Sequence, residues 1–290
     1  MNFSCKSLAL IFILALGTNG LQAQKDDGDE MITESSQVDE DVYVDDIVQK
    51  RLIYENRVLP YESIREADIA WQKRMWRLLD VREKMNIPFI NPNRPFFNIL
   101  LEGIENGDLM AFKGNSDDFK VPLTKEDLNK IIYRVDTTVV FDPVTYEEEI
   151  KVVKSVINYE DIKRYRIKEV WFFDEESSTM KVRILGIAPI KDELDDNGNF
   201  KYSLPLFWVY YPEAREVFSK ERVFNPYNDA APMTWSDLFE ARFFSSYVFK
   251  VSNPLDLRLK DQYGEGVDML LESDKVKREL FNFEHDLWTY

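Results

Sequence analysis

His285 is the only histidine in the chain and Cys5 the only cysteine. Nucleophilic and metal chemistry draw heavily on these two residue types, so the supply is thin from the start. One histidine cannot make a two-histidine metal site, and no HExxH motif occurs. A Ser–His–acid relay would need His285 and a distant serine, and no GxSxG elbow is present. His285 stands between Glu284 and Asp286, near the end of a helical stretch. Gly264-Glu265-Gly266 lacks the third glycine of a dinucleotide loop and reads as a surface turn. No phosphate-cradling GxxxxGK(S/T) occurs either. Lys191-Asp192-Glu193-Leu194 spells a retention signal, but an internal one is not read. Carboxylates are plentiful. Asp117-Asp118 and Asp195-Asp196 read as loop acids, and a periplasmic hydrolase using paired carboxylates is the enzymatic alternative that this acid content leaves open. A soluble periplasmic binding protein for a small ligand is another. No catalytic residue, cofactor or metal ligand is assigned.

Composition gives the chain an address. Residues 1–23 read as a secretion signal: Lys6 supplies the positive start, Leu8 to Leu16 form an apolar run too short to span a bilayer, and cleavage is expected between Ala23 and Gln24. Cys5 precedes the apolar run, where a lipoprotein cysteine would follow it. Cleavage at Ala23 leaves a mature chain without thiol or disulfide, so its core alone must hold it together. Residues 24–46 carry ten acids against Lys25 and read as a disordered acidic tail. With a formal net charge of −16 and no basic stripe, nucleic acid is excluded as a partner. No later stretch is long and apolar enough for a transmembrane helix.

The remaining residues, 47–290, read as one α+β domain. Its first expected element is a long N-terminal helix over 64–85. Ser63 and Glu66 have capping-box spacing, Asn86 suits the left-handed position at the far end, and Pro88 stops continuation. At ~1.5 Å per residue the rod would be roughly 33 Å long. Ile64, Ala67, Trp71, Met75, Leu78, Leu79 and Met85 fall on one wide arc of it. Ile69 and Trp76 form a second, narrow stripe, and with the adjacent Arg77 they are the candidate partner-facing residues, because Trp beside Arg is a composition of interface centres. Asp68, Arg74 and Arg82 lie in or beside the wide arc and need partners if buried.

A helical region is expected over 94–133. Pro95 starts one helix that Asn106-Gly107 ends, and Thr124 with Asp127 caps another. Over 134–212 the period changes to that of strands. Val135 to Phe141, Ile150 to Ile157 and Arg164 to Phe173 are β-rich. Met180, Val182 and Ile184 alternate with Lys181 and Arg183, and Asn197-Gly198 marks a hairpin before an aromatic strand from Phe200. This predicts an antiparallel sheet of four or five strands flanked by helices. Aromatic residues make up 14 % of the chain, and neighbours such as Phe172-Phe173 and Phe207-Trp208 point to opposite faces of a strand. Both faces of the sheet must then be covered, which favours an assembly protein. The C-terminal part, 213–290, is expected to be helical.

The stretches Pro60-Tyr61, Ile64 to Ile69, Trp71, Trp76-Arg77, Arg82-Glu83-Lys84, Lys168 to Asp174, Arg183 to Pro189, Trp208 to Pro212 and Thr234-Trp235 together resemble the GldN/PorN family. The resemblance covers nearly all of the chain outside the acidic tail. It implies a non-catalytic periplasmic subunit of the type IX secretion system and gliding machinery, lying under the outer membrane. Implied partners are a PorK/GldK-like outer-membrane lipoprotein, copies of the chain itself in a ring, and the periplasmic part of a PorM/GldM-like motor protein. The family offers no catalytic residues to carry over.

Overall fold

A computed structural model describes residues 57–141, 148–194, 200–226, 228, 230–264 and 266–287; of 134–141, 148–156 and 194 it describes the backbone alone. All of these belong to one unit spanning 51–290. The expected signal, its Ala23–Gln24 cleavage site, the acidic tail and the Asn197-Gly198 turn lie outside the described residues.

In chain order the elements are β1 (Ile69–Asp80), α1 (Phe96–Asn106), β2 (Ala111–Lys113), α2 (Lys125–Ile132), β3 (Tyr133–Phe141), β4 (Glu148–Val156), β5 (Ile162–Asp174), β6 (Thr179–Leu194), β7 (Phe200–Pro205), β8 (Phe207–Tyr210), α3 (Tyr211–Lys220), β9 (Arg222–Val223), β10 (Met233–Thr234), α4 (Trp235–Glu240), β11 (Tyr247–Val251), α5 (Leu259–Tyr263) and α6 (Val267–Asp286). Seven strands form one sheet in the order β11-β1-β5-β6-β8-β2, with β7 also on β6, and every pairing in it is antiparallel. β3 and β4 pair only with each other among the described residues, and so do β9 and β10.

The expected antiparallel sheet with flanking helices is present, but it has seven strands rather than four or five. It draws β1, β2 and β11 from outside 134–212, and β3 and β4 do not join it.

The larger correction concerns the long helix over 64–85. One 3-10 turn forms at Glu66–Asp68, and the chain then runs extended as β1. β1 lies between β11 and β5, so both of its edges are paired, and its side chains pack into buried clusters on both faces of the sheet. Apolar side chains therefore fall on both parities, and their sum imitates a helical stripe. Asn86 does not end a helix. It is fully buried in a second 3-10 stretch, Lys84–Ile90, where its Nδ2 donates to Asp80 O at 2.7 Å and Ser245 O at 2.9 Å. Ser245 N donates back to Asn86 Oδ1 at 2.9 Å. This side chain pins the end of β1 to the loop that leads into β11.

On one face of the sheet α1, α3 and α4 bury Phe96, Phe97, Phe218, Trp235 and Phe239 against Leu79, Tyr165 and Ile187. Phe96 is the hub, with ring centroids 4.5 Å from Trp235, 5.3 Å from Phe89 and Phe218, and 5.4 Å from Tyr165. The helix ends follow local chemistry. Gly107 closes α1 at φ 86, where a side chain would be strained. The Thr124 and Thr234 hydroxyls accept from the backbone N–H of Asp127 and Asp237. Further along, α6 lays Val276 and Leu280 on Met75, Val248 and Val251.

Candidate functional site

Alternation along β1 sends Trp71, Lys73, Met75, Arg77 and Leu79 to one face of the sheet and Arg74, Trp76 and Leu78 to the other. Opposite Met75 on β5 stands Glu169, on the helix-covered face between the two apolar clusters. Its side chain is 0 % exposed. Arg77 Nη1 lies 3.4 Å from Oε1, and Trp171 Nε1 donates to the same oxygen at 2.9 Å. Arg242 Nη2 approaches Oε2 at 2.9 Å, off line for a hydrogen bond but close enough for charge attraction. Burial pulls the Arg77 guanidinium below its usual range, and Glu169 opposes that pull. Arg77 Nε donates to Ser246 Oγ at 2.9 Å, so the carboxylate holds together β1, β5 and the segment between α4 and β11.

Trp76 occupies the opposite face. It is 8 % exposed and packs with Phe112, Ala188 and Trp208. Its indole N–H donates to Asp117 Oδ2. Lys168, paired with Trp76 across the ladder and itself buried, donates to Asp117 O at 2.7 Å. The same ammonium lies 5.7 Å from the Trp76 ring centre and 5.4 Å from that of Phe119. Phe119 sits at φ 54 and packs on Gly186, where a Cβ would run into its ring. The segment after β2 is thereby clamped over this face. Lys250 Nζ completes the stack 4.4 Å from the Trp76 ring centre and 2.6 Å from Asp256.

The narrow stripe expected to face a partner is thus inside the chain's own packing. Ile69 is half-buried at the start of β1, Trp76 is enclosed, and Arg77 is committed to Glu169. The physical reason is the change from helix to strand, which separates Trp76 from Arg77 by the thickness of the sheet. Asp68 is paired with Arg65 at 2.9 Å and Arg82 with Asp80, while Arg74 is exposed.

Exposed apolar side chains are found on the outer side of α6, as they are on β7 at Phe200, Tyr202 and Leu204. The inner side of α6 buries Ser273, Val276 and Leu280. Ser273 Oγ accepts from Val248 N at 2.8 Å and so occupies part of the sheet's β11 edge. Val267, Leu271 and Phe281 are 71 %, 57 % and 68 % exposed.

A sequence model of the gliding motility associated protein GldN matches residues 64–289, from just before β1 to beyond the end of α6. The chain belongs to the GldN family. Membership associates it with gliding motility and type IX secretion, as a structural component of that machinery. A search of curated proteins finds no match. In this GldN-family chain the match takes in both buried clusters and the exposed side of α6. Among the described residues no group of three or more His, Cys, Asp or Glu is placed to hold a metal ion, and no helix is long and apolar enough to cross a membrane. His285 is exposed in the last turn of α6, with Nδ1 4.0 Å from Asp286.

Sequence reasoning missed Glu169, Lys168, Asp117 and Arg242. The available signal was Lys168-Glu169 directly ahead of the apolar run Val170 to Phe173, charges that a covered strand accepts only with partners.

Proposed function

We propose that this chain is a non-catalytic periplasmic structural subunit of the type IX secretion and gliding machinery. It forms a ring with copies of itself and with a PorK/GldK-like outer-membrane lipoprotein, and it meets the periplasmic part of a PorM/GldM-like motor protein. The observation that carries this reading is the family match over 64–289, which takes in almost every described element. Support comes also from the apolar outer side of α6, which the chain itself leaves uncovered among the described residues. The periplasmic address rests on Lys6, the apolar run after it and the Ala23–Gln24 site.

Co-expression with the lipoprotein followed by size-exclusion chromatography tests the reading. A joint peak far larger than a one-to-one complex is expected. Separate elution of the two proteins, or an intact Met1 terminus in the envelope fraction, overturns it.

A further inference from the structure

On the Trp76 face of the sheet, beyond that cluster, a cleft of about 410 Å³ opens between β5, β7, β11 and the segment around α5. Five cations line it: Arg164, Arg166, Lys201, Arg258 and Lys260. None of the described lining residues is Asp or Glu. In a chain with a net charge of −16 such a grouping runs against the general composition. Like charges gathered round one cavity repel, and a bound anion relieves the repulsion.

The cations differ in how they are held. Arg164 is paired with Asp192, and its Nη2 also donates to Ser203 Oγ at 2.7 Å. The Arg166 guanidinium lies 4.6 Å over the Phe249 ring centre, and its buried Nε has no hydrogen-bond partner. Burial, reinforced by Arg258 and Arg164, pushes Arg166 down to about 10, while Asp117 acts the other way. The guanidinium nevertheless stays charged at neutral pH. Lys201 and Arg258 stand exposed at the rim. Leu78, Ile190 and Met269 supply an apolar wall, and Tyr247 adds a ring whose hydroxyl burial keeps protonated.

We propose that this cleft binds a phosphate or diphosphate group carried on a partly apolar body. Guanidinium forks match the oxygens of such a group, and several cations at one site favour more than one negative charge. The volume falls within the roughly 300–1,000 Å³ usual for small-ligand sites. The proposal is independent of the assembly reading.

The group could come from a soluble phosphorylated molecule or a lipid headgroup, and two probes on the full chain separate these sources. Inorganic pyrophosphate is titrated by calorimetry. Vesicles of phosphatidylcholine with phosphatidic acid are compared with phosphatidylcholine alone by flotation. Arg166→Gln removes the buried guanidinium. Lys201→Gln and Arg258→Gln change exposed side chains and keep the test valid if Arg166→Gln fails to fold. Each variant is expected to weaken binding by about tenfold, the effect of losing one charge-assisted contact. Pyrophosphate binding weakened by the variants supports the site with a soluble source. Flotation weakened by the same variants supports it with a lipid source. The proposal fails if neither probe binds or if binding is unchanged in all three variants. A polyglutamate peptide that binds more tightly than pyrophosphate also overturns it, and makes the cleft a site for acidic peptides.

Discussion

Trp76 and Arg77 are adjacent in β1 and leave it through opposite faces of the sheet, Trp76 toward Asp117 and Arg77 toward Glu169. Each ends in a buried arrangement that ties β1 to chain far away in sequence. Replacing either residue should therefore act on stability first.

Trp76→Ala is expected to lower unfolding free energy by about 3–5 kcal/mol, the cost of emptying an aromatic site in a packed cluster. Trp76→Phe should cost less, about 1–3 kcal/mol, because it keeps most of the volume but leaves Asp117 without its indole donor. Urea unfolding checks both. A Trp76→Ala protein as stable as the parent contradicts the buried placement.

Glu169→Ala leaves Arg77 and Arg242 facing each other without their shared carboxylate. Breaking a buried ion pair in this one-sided way typically costs about 3–5 kcal/mol. Equilibrium denaturation should show a loss of that size. Glu169→Gln, which keeps the shape and an acceptor for Trp171, should lose less.

Asp174 closes β5 as a buried carboxylate. Lys181 Nζ donates to it at 2.6 Å and Ser177 Oγ at 2.7 Å. The Lys181 hydrogen bond, helped by Ser177, holds the carboxyl down at about 2. A carboxyl depressed in the folded state stabilises above its ordinary value near 3.8, and that contribution fades as pH falls toward 2. Melting temperatures of the parent and of Asp174→Asn should differ at pH 6 and converge near pH 2. A constant gap across that range would refute the assignment.

Tyr61 fastens the segment ahead of β1. Its hydroxyl donates to Glu240 Oε1 at 2.8 Å, and the Arg215 guanidinium lies 3.9 Å from its ring centre while Arg215 Nη1 donates to Leu59 O at 2.9 Å. Tyr61→Ala should release this segment and speed tryptic cleavage after Arg57 or Arg65, with the melting temperature little changed. Unaltered cleavage kinetics would show that other contacts suffice.

On α6, Leu271→Ser with Phe281→Ser changes exposed side chains and should move stability by no more than about 0.5 kcal/mol each. The same pair should reduce recovery of the lipoprotein complex in a pull-down. Full recovery would remove this side of α6 from the assembly surface.

How much of this was readable in advance depends on how each strand is covered. The first part of β6 was legible because Met180, Val182 and Ile184 point one way and Lys181 and Arg183 the other. The cap at Thr124 and the Gly107 stop were legible because they are local. β1 was not. With both faces covered, Trp71, Met75, Trp76, Leu78 and Leu79 suit a helical arc as well as a strand, and Lys73, Arg74 and Arg77 suggest a solvated helix face. The choice was made by pairing with β5 and β11, which no window of neighbouring residues contains. The Glu169 cluster was hidden for the same reason, since residues 77, 169 and 242 meet only after the sheet has formed.

The pairing of β1 with β11 also bears on folding order. Met75 stands opposite Val251, more than half the chain away, and β11 is the outermost strand on that side of the sheet. As the chain emerges N-terminus first, β1 can pair with β5 but has no neighbour on its other edge until the last strand appears. Until then that edge is an open template for strands of other molecules. Closing so long a loop is slow, so the final step of folding should be the docking of β11, with α6 following as its cover.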